Sequence, residues 1–395
     1  MNILICPDSY KDSLSAREAA DAIATGVKLA APEAAIDKCS LGDGGEGSLD
    51  ILISTTGAER RTARVHDALG RPCDADWGWH GDSRTACIEL AEASGLQSLA
   101  HDERTALHSS TYGVGELVRA ALDAGAERLL VTLGGSATND GGAGMLTALG
   151  AQLLDCDGQP LPPGGASLER LASIGLSDFD PRLANLVVEA AVDVDNPLLG
   201  ERGASAVFGP QKGASNDEVL RLDKALQHLA DETRKVLGID YRDIAGAGAA
   251  GGMGFALATF LGAEVMPGIE LIMRHAGMKD RLAWADLVIT GEGQLDGQSL
   301  AGKTPIGVAR AARDHCIPVI VLAGRLGPGW KAVLDEGVTG AFALADGPMD
   351  LDEALSRCAE LLSDRSENLI RTMKPIPLRN PNHPRCAMAR RNSSW

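Results

Sequence analysis

Acidic and basic side chains are set among glycines in one stretch of the sequence, LVITGEGQLDGQSLAGKTP, at residues 287–305. The apolar, β-branched run at its start predicts a buried strand, and Pro305 predicts the start of a helix because its fixed φ suits the first helical turn. Glu292, Asp296 and Lys303 lie between the two. Loops that leave the carboxyl end of a strand and enter a helix bind anionic ligands in open α/β sheets. Carboxylates and an ammonium group in such a loop indicate metal and phosphate binding.

Part of this stretch also matches the P-loop pattern G-x-x-x-x-G-K-[ST], at Gly297, Gly302, Lys303 and Thr304. A true P-loop turns directly out of its strand, whereas the first pattern glycine here comes six residues after Gly291. The intervening carboxylates would repel a bare triphosphate, although they could hold its Mg²⁺. We therefore predict that Glu292 and Asp296 serve metal or substrate, and that Thr304 is only the residue before a helix. A solvated loop whose glycines serve the turn is the alternative.

A second glycine-rich loop, GDGGEG at residues 42–47, stands between a predicted strand at 36–41 and a predicted helix at 48–55. Its glycines match the dinucleotide-binding pattern G-x-G-x-x-G. Asp43 and Glu46 argue against a dinucleotide because their carboxylates would meet the pyrophosphate directly. A metal ion or a polyol is the better partner for this loop.

The N-terminal segment NILICPD predicts a short strand that ends at Asp8. A polar loop with Ser9 and Lys11 follows, and then a helix from about residue 16 with Ser15 as its N-cap. Asp8 and Lys11 are both placed to reach a phosphate site. A capping carboxylate and a solvated lysine are an equally good interpretation.

The strand predicted at residues 128–133 also ends in a glycine-rich loop, GGSATNDGG at residues 134–142. Its small side chains and hydroxyls allow backbone N–H groups to close on an oxyanion. Asn139 and Asp140 add ligands for a metal ion or a hydroxyl group. Because this loop repeats the strand, loop and helix order, we predict a functional role for it.

Two further segments bring polar groups to the ends of predicted elements. DVDNPL places Asp193 and Asn196 after a predicted buried strand, either as a turn or as part of a catalytic carboxylate cluster. FGPQKGA holds Lys212 between a proline and a glycine, which fixes the way its ammonium group is presented.

The order of the predicted elements indicates an α/β protein with two domains. Residues 1–56 and 284–364 alternate strand and helix in the same style, so we predict that they share one mainly parallel sheet in a discontinuous domain. Residues 57–283 form an inserted α/β domain that starts with an antiparallel meander. Residues 365–395 are basic and rich in proline, which predicts a disordered and dispensable tail.

Composition limits the classes of partner. The 395 residues are 45% hydrophobic and 23% charged, which is a globular balance, and 37 Lys and Arg against 54 Asp and Glu give a net charge of −17. This charge argues against nucleic acid and acidic membranes as partners. The eight cysteines are scattered, with no C-x-x-C pair, and no signal peptide or membrane span is visible. We therefore predict a cytoplasmic protein.

The chain resembles the bacterial glycerate kinase family over roughly residues 1–372. The resemblance is carried by six motifs that occur in the family's order: PDSYKDSLSA, GDGGEG, GGSATNDGG, DVDNPL, FGPQKGA and GEGQLDGQSLAGKTP. The resemblance implies two α/β domains with the active site in the cleft between them. It also implies D-glycerate and ATP as small-molecule partners, Mg²⁺ as cofactor, and 2-phosphoglycerate as the usual product. A glycerate 3-kinase, a non-catalytic sugar-acid binding protein and a homodimeric assembly stay open alternatives.

Phosphoryl transfer requires positive charge at the phosphates, a metal ion and a carboxylate to accept the hydroxyl proton. The residues predicted to take part in catalysis are Asp8, Lys11, Asp193 and Lys303. Those predicted to bind substrate or nucleotide are Ser9, Gly44, Gly45, Ser136, Thr138, Asn139, Asn196, Lys212 and Gln298. Those predicted to bind metal are Asp43, Glu46, Asp140, Glu292 and Asp296. The sequence leaves open whether Asp8 or Asp193 is the general base.

Overall fold

The computed structural model describes residues 1–45 and 47–373. The strands of this part of the chain are β1 Asn2–Ile5, β2 Ala35–Lys38, β3 Glu59–His66, β4 Pro72–His80, β5 Thr85–Glu89, β6 Arg128–Thr132, β7 Gln152–Leu154, β8 Ser173–Gly175, β9 Val187–Val192, β10 Glu264–Pro267, β11 Leu287–Leu295, β12 Val319–Leu326 and β13 Gly340–Ala343. None of its helices is both long and apolar enough to span a membrane.

The α-helices of the described residues are α1 Ala16–Ala30, α2 Ser48–Thr56, α3 Leu90–Ser94, α4 Tyr112–Asp123, α5 Ala143–Ala148, α6 Ala204–Phe208, α7 Asn216–Leu237, α8 Ala249–Leu261, α9 Gly268–His275, α10 Met278–Trp284, α11 Thr304–Arg313, α12 Leu351–Ser356 and α13 Cys358–Met373. Short 3₁₀ helices occupy His101–Glu103, Gly165–Arg170, Pro181–Asn185, Pro210–Lys212, Gly297–Ala301 and Trp330–Glu336.

The first sheet joins both ends of the chain. Its five strands run in the order β13-β12-β11-β1-β2, and all of them are parallel. Leu4 of β1 pairs with Val288 of β11, so the predicted α/β fold with a shared parallel sheet is confirmed. The exact domain limits stay a prediction.

The chain runs outward from β1 to β2 and, in the other direction, from β11 to β13, so the strand order reverses between β1 and β11. Open α/β sheets bind ligands at such a reversal.

The second sheet lies in the inserted segment and has the order β10-β9-β6-β5-β4-β3. Strands β3, β4 and β5 are antiparallel, as the predicted meander requires, whereas β5, β6, β9 and β10 are parallel. Strands β7 and β8 form a separate antiparallel pair. The parallel half of this sheet therefore also has one edge to which all its carboxyl ends point.

One hydrophobic core extends across both sheets. It contains Leu4 and Val288 from the first sheet and Leu130 and Ala191 from the second. Burying apolar side chains from both units in one core stabilises their mutual arrangement, because separating the units would expose that surface to water. The loops at the carboxyl ends of the two sheets are thereby held against one another.

The last helix corrects one prediction. Helix α13 continues to Met373, so the prediction of a tail that starts at residue 365 is wrong for residues 365–373. Leu369 and Ile370 are buried in the core that α1 also lines, with Ile23 among its members. Apolar residues at helical spacing outweighed the basic composition of the segment. Residues 374–395, to which the rest of that prediction refers, lie outside the described residues.

Strand β11 corrects a second prediction. It continues beyond the apolar run LVIT, which predicted it, to Leu295, so Glu292 lies on the strand and not in the loop between strand and helix. Strand β12 continues in step, and Glu292 pairs with Ala323 while Leu295 pairs with Leu326. The ladder partners supplied by β12 keep the glycine-rich segment extended.

Candidate active site between the two sheets

Asp8 lies at the point where the strand order of the first sheet reverses. Its backbone N–H donates to the carbonyl oxygen of Gly291 at 2.8 Å, which fixes the loop after β1 beside β11. Its carboxylate accepts from the backbone N–H of Ser9 at 2.6 Å and from the Thr304 hydroxyl at 2.5 Å. Burial, with a smaller contribution from Asp43, raises the pKa of Asp8 to about 6, although these hydrogen bonds oppose the shift.

Thr304 therefore has a role that its sequence position did not reveal. It is the first residue of α11, it is buried, and its hydroxyl connects the start of this helix to Asp8. The prediction that Thr304 is only the residue before the helix is wrong. The two residues are 296 positions apart in the sequence, and the pairing of β1 with β11 brings them together.

Glu292 forms an ion pair with Lys303 and lies close enough to Asp8 to interact with it electrostatically. The Glu292 carboxylate accepts from the Ser299 hydroxyl at 2.8 Å, and the Lys303 Nζ atom lies 3.8 Å from its other oxygen. Burial raises the pKa of Glu292 to about 7, against the effect of Ser299 and Lys303. The Lys303 side chain stays 40% exposed, so it remains accessible to solvent.

Asp296 and Gln298 form the start of the 3₁₀ helix Gly297–Ala301. The Asp296 carboxylate accepts from the side chain of Gln294 at 2.6 Å and from the backbone N–H of Gln298 at 2.8 Å, and these bonds lower its pKa. Gln298 itself is exposed. Asp296 is thus a capping carboxylate that stays ionised, and both residues remain candidates for ligand binding.

The loop at residues 42–45 is held between the two units. A Cβ atom at Gly268 would lie 1.8 Å from the Asp43 carbonyl oxygen, and one at Gly134 would lie 2.6 Å from the Cα atom of Gly45. Only glycine fits at such approaches of backbone to backbone. The contacts bring the loop after β2 directly against the loop after β6 and the first residue of α9. Glu46, a predicted metal ligand, lies outside the described residues.

Asp193 follows β9 and faces this junction. A Cβ atom at Gly44 would lie only 3.1 Å from one of its carboxylate oxygens. Asp193 is exposed as a residue, but the protein around its carboxyl group removes much of the water that would hydrate the charged form. This desolvation raises its pKa to about 8, and repulsion from Asp43 and then Asp8 adds to the shift. No hydrogen bond to the carboxylate is present among the described residues, so it is free to accept one from a ligand.

The loop after β6 is fixed from inside the protein. Lys212 is 2% exposed, and its Nζ atom donates to the Ser136 hydroxyl oxygen and to the Thr138 carbonyl oxygen, each at 2.7 Å. Thr138 and Asn139 are fully buried, and the Asn139 amide donates to Ser205. Contrary to the prediction, the side chains of Thr138 and Asn139 do not reach the cleft.

Asp140 is part of the fold and not a metal ligand, contrary to the prediction. Its fully buried carboxylate accepts from the backbone N–H of Thr111 at 2.8 Å, from the Thr111 hydroxyl at 3.0 Å, and from the backbone N–H groups of Gly142 and Gly144, each at 3.1 Å. Burial raises its pKa, while these four bonds oppose the shift. These four bonds, three of them to one carboxylate oxygen, hold the start of α5 against Thr111.

The remaining predicted residues lie at the rim or in a turn. Ser9 and Lys11 are exposed in the loop after β1. The Asn196 side chain donates to the carbonyl oxygen of Arg202 at 2.7 Å, which favours the turn interpretation of DVDNPL for that residue. Asp8, Asp43 and Asp193 are brought together, with Glu292 and Lys303 beside Asp8.

Glu89 is a residue that the sequence analysis missed. It ends β5 and is buried, and its carboxylate accepts from the backbone N–H groups of Gly47 at 3.0 Å and Leu49 at 2.8 Å. It thus caps α2 from the other unit and lines a cavity of about 310 Å³ beside Gly135. Its position at the end of the apolar run TACIE was the available signal.

The acidic cluster fits a magnesium ion. No group of three or more His, Cys, Asp or Glu side chains within the described residues is already arranged around a metal position. Mg²⁺ needs no such cage, because it keeps several waters and is held by one or two carboxylates together with phosphate oxygens. Asp43 raises the pKa of both Asp8 and Asp193, so a cation among these three would relieve their repulsion.

Gly268→Ala tests the close contact between Gly268 and the backbone of Asp43. The new methyl group meets the Asp43 carbonyl oxygen, so the loop at residues 42–45 must move. We expect the free energy of unfolding to fall by about 1–3 kcal/mol and kcat/KM to fall with it. Gly347→Ala is the control, because a Cβ there would meet nothing within 4 Å. Thermal melts and steady-state rates of both variants check this, and equal behaviour would contradict the close contact.

Comparisons with known proteins agree with this arrangement. A profile of the glycerate kinase family matches residues 3–374. A glycerate kinase of Bacillus subtilis strain 168 is 47% identical, over 95% of this chain and 98% of its own length. The glycerate 2-kinase of Escherichia coli K12 is 44% identical, over 96% of this chain and all of its own. A crystal structure from Salmonella typhimurium LT2, assigned as glycerate kinase 2, superposes with a TM-score of 0.86 at 45% identity, over 94% of this chain and 98% of that one.

These matches cover nearly the whole chain, and the predicted resemblance is confirmed. The chain belongs to the glycerate kinase family and is an ATP-dependent phosphotransferase with an alcohol group as acceptor.

Proposed function

We propose that the protein transfers the γ-phosphoryl group of ATP to the 2-hydroxyl of D-glycerate, giving 2-phosphoglycerate and ADP. The observation that carries the proposal is the convergence of Asp8, Asp43 and Asp193 where the loops of the two sheets meet. The name of the Escherichia coli relative, a glycerate 2-kinase, supports the choice of hydroxyl. The free thiols in the described part of the chain agree with a reducing compartment such as the cytoplasm.

In this proposal Asp193 is the general base. Its carboxylate has no hydrogen-bond donor among the described residues, whereas that of Asp8 is engaged by Ser9 and Thr304. A base works best when its pKa lies near the working pH, and the pKa of Asp193 is raised to about 8. Asp193 would accept the hydroxyl proton as the oxygen attacks the γ-phosphorus, and the ADP oxygen leaves on the opposite side.

The side of the first sheet would hold the nucleotide phosphates. Lys303 and the positive, N-terminal end of the α11 helix dipole offer positive charge there, and Lys11 lies in the exposed loop after β1. Asp8 and Asp43 would hold Mg²⁺, with Glu292 and Asp296 as further candidates. When bound, the metal neutralises phosphate charge.

Two alternatives use the same cleft. A glycerate 3-kinase would need the 3-hydroxyl of glycerate, in place of the 2-hydroxyl, to face Asp193. A non-catalytic sugar-acid binding protein would bind glycerate without turnover. Incubation of the protein with ATP, Mg²⁺ and D-glycerate tests the enzyme against the binding protein. Release of ADP that depends on glycerate is the expected result, and glycerate binding without ADP release would refute the proposal.

A further inference from the structure

The ammonium group of Lys212 has one more hydrogen than it has acceptors among the described residues. It has three hydrogens, and two of them are directed to Ser136 and to the Thr138 carbonyl oxygen. The Ser136 hydroxyl accepts from Lys212, and its own hydrogen has no acceptor among the described residues. Two donors, one of them charged, therefore remain available at a buried position.

Both donors line a cavity of about 220 Å³ that also reaches Asp193 and the backbone of Gly134. Most of the other walls are apolar, with Leu133, Val192 and Phe208 among them. Lys212 is the one cation and Asp193 the one acid among the described residues that line it. The cavity thus pairs an anion-binding end with a hydroxyl-accepting end.

We propose that this cavity binds the carboxylate of the acceptor, a small 2-hydroxy acid, through Lys212 and Ser136. The hydroxyl on the adjacent carbon then faces Asp193. The inference rests on the proposed function, and it adds the means by which the site selects an acid over a neutral polyol.

Charge favours a carboxylate here over a nucleotide phosphate. A γ-phosphoryl group carries more negative charge than one ammonium group neutralises, and the carboxylate of Asp193 would repel it. A monocarboxylate needs only one cation, and charge-assisted hydrogen bonds from a buried site hold it firmly. Burial lowers the pKa of Lys212 to about 7, although Asp140 opposes the shift, so an anion in the cavity would strengthen the charged form.

Titration calorimetry with D-glycerate and with D-glyceramide, its uncharged analogue, tests the inference on the full chain. The wild-type protein should bind glycerate about 30-fold more tightly than the amide. Lys212→Met should remove most of that preference, and Ser136→Ala should weaken glycerate binding about fivefold. The KM for ATP should stay within about threefold in both variants. Lys331→Met, at an exposed lysine, is the control for the lost charge and should match the wild type.

The outcomes separate the two proposals. Equal binding of amide and acid by the wild-type protein would overturn the inference, as would a defect of Lys212→Met confined to ATP. If Lys212→Met does not fold, the wild-type comparison and Ser136→Ala decide alone. Preferential glycerate binding without ADP release would support this cavity and refute the kinase proposal.

Discussion

Asp193→Asn is expected to lower kcat by about 10²–10⁴-fold, the contribution of a general base to proton transfer. The amide cannot accept the hydroxyl proton, and nothing else in the change is large, because Asn has nearly the same shape. Asp195→Asn is the matched control. Asp195 is exposed and pairs with Arg202 at 3.0 Å, so its loss should leave kcat nearly unchanged. Steady-state measurements of kcat for both variants provide the test. A kcat of Asp193→Asn only slightly below that of the wild type would show that another residue is the general base.

The same substitution should stabilise the metal-free protein at alkaline pH. The folded-state pKa of Asp193 is about 8 against an ordinary value of 3.8, so the folded state favours the protonated acid. Ionisation of Asp193 therefore destabilises the wild-type protein as the pH rises from about 4 to about 8. The Asp193→Asn variant has no such group to ionise and does not lose stability in this way. The difference in Tm between variant and wild type should grow over this range and then level off. A difference independent of pH would contradict the raised pKa.

Thr304→Val is expected to lower kcat/KM by about 10- to 100-fold. The valine has the same shape but no hydroxyl, so Asp8 loses a charge-assisted hydrogen bond worth about 1.5–3 kcal/mol. The pKa of Asp8 should rise further, because the Thr304 bond lowers it. Fewer Asp8 side chains would then carry the charge that a metal requires.

Thr304→Ser is the control for this substitution, because it keeps the hydroxyl and should retain most of the activity. Rates measured for both variants at several Mg²⁺ concentrations provide the test. Partial recovery of the valine variant at high Mg²⁺ is expected, since the cation favours the ionised form of Asp8. Activity of the valine variant equal to that of wild type would show that the contact has no catalytic role.

The fold could be predicted largely from local pattern. The apolar runs that begin β1 and β11 predicted two strands of similar style, and Ser15 predicted a helix start that the structure shows with a full capping box. Pro305 likewise placed the start of α11 to within one residue. These signals act over a few residues, so the sequence contains them directly.

The site could be predicted only as a set of loops. Which carboxylates face the cleft depends on contacts between distant parts of the chain, such as Thr304 with Asp8 or Lys212 with Ser136. Asp140 shows the opposite case, because a loop with the right residue types turned its carboxylate into the core. Sequence spacing does not distinguish a carboxylate that caps a helix from one that meets a ligand.

The identity of the product tests the central claim most directly. The protein is incubated with ATP, Mg²⁺ and D-glycerate, and the product is passed to enolase with and without phosphoglycerate mutase. We expect phosphoenolpyruvate to form with enolase alone, because transfer to the 2-hydroxyl gives 2-phosphoglycerate. Formation only after the mutase is added would show transfer to the 3-hydroxyl and would contradict the assignment.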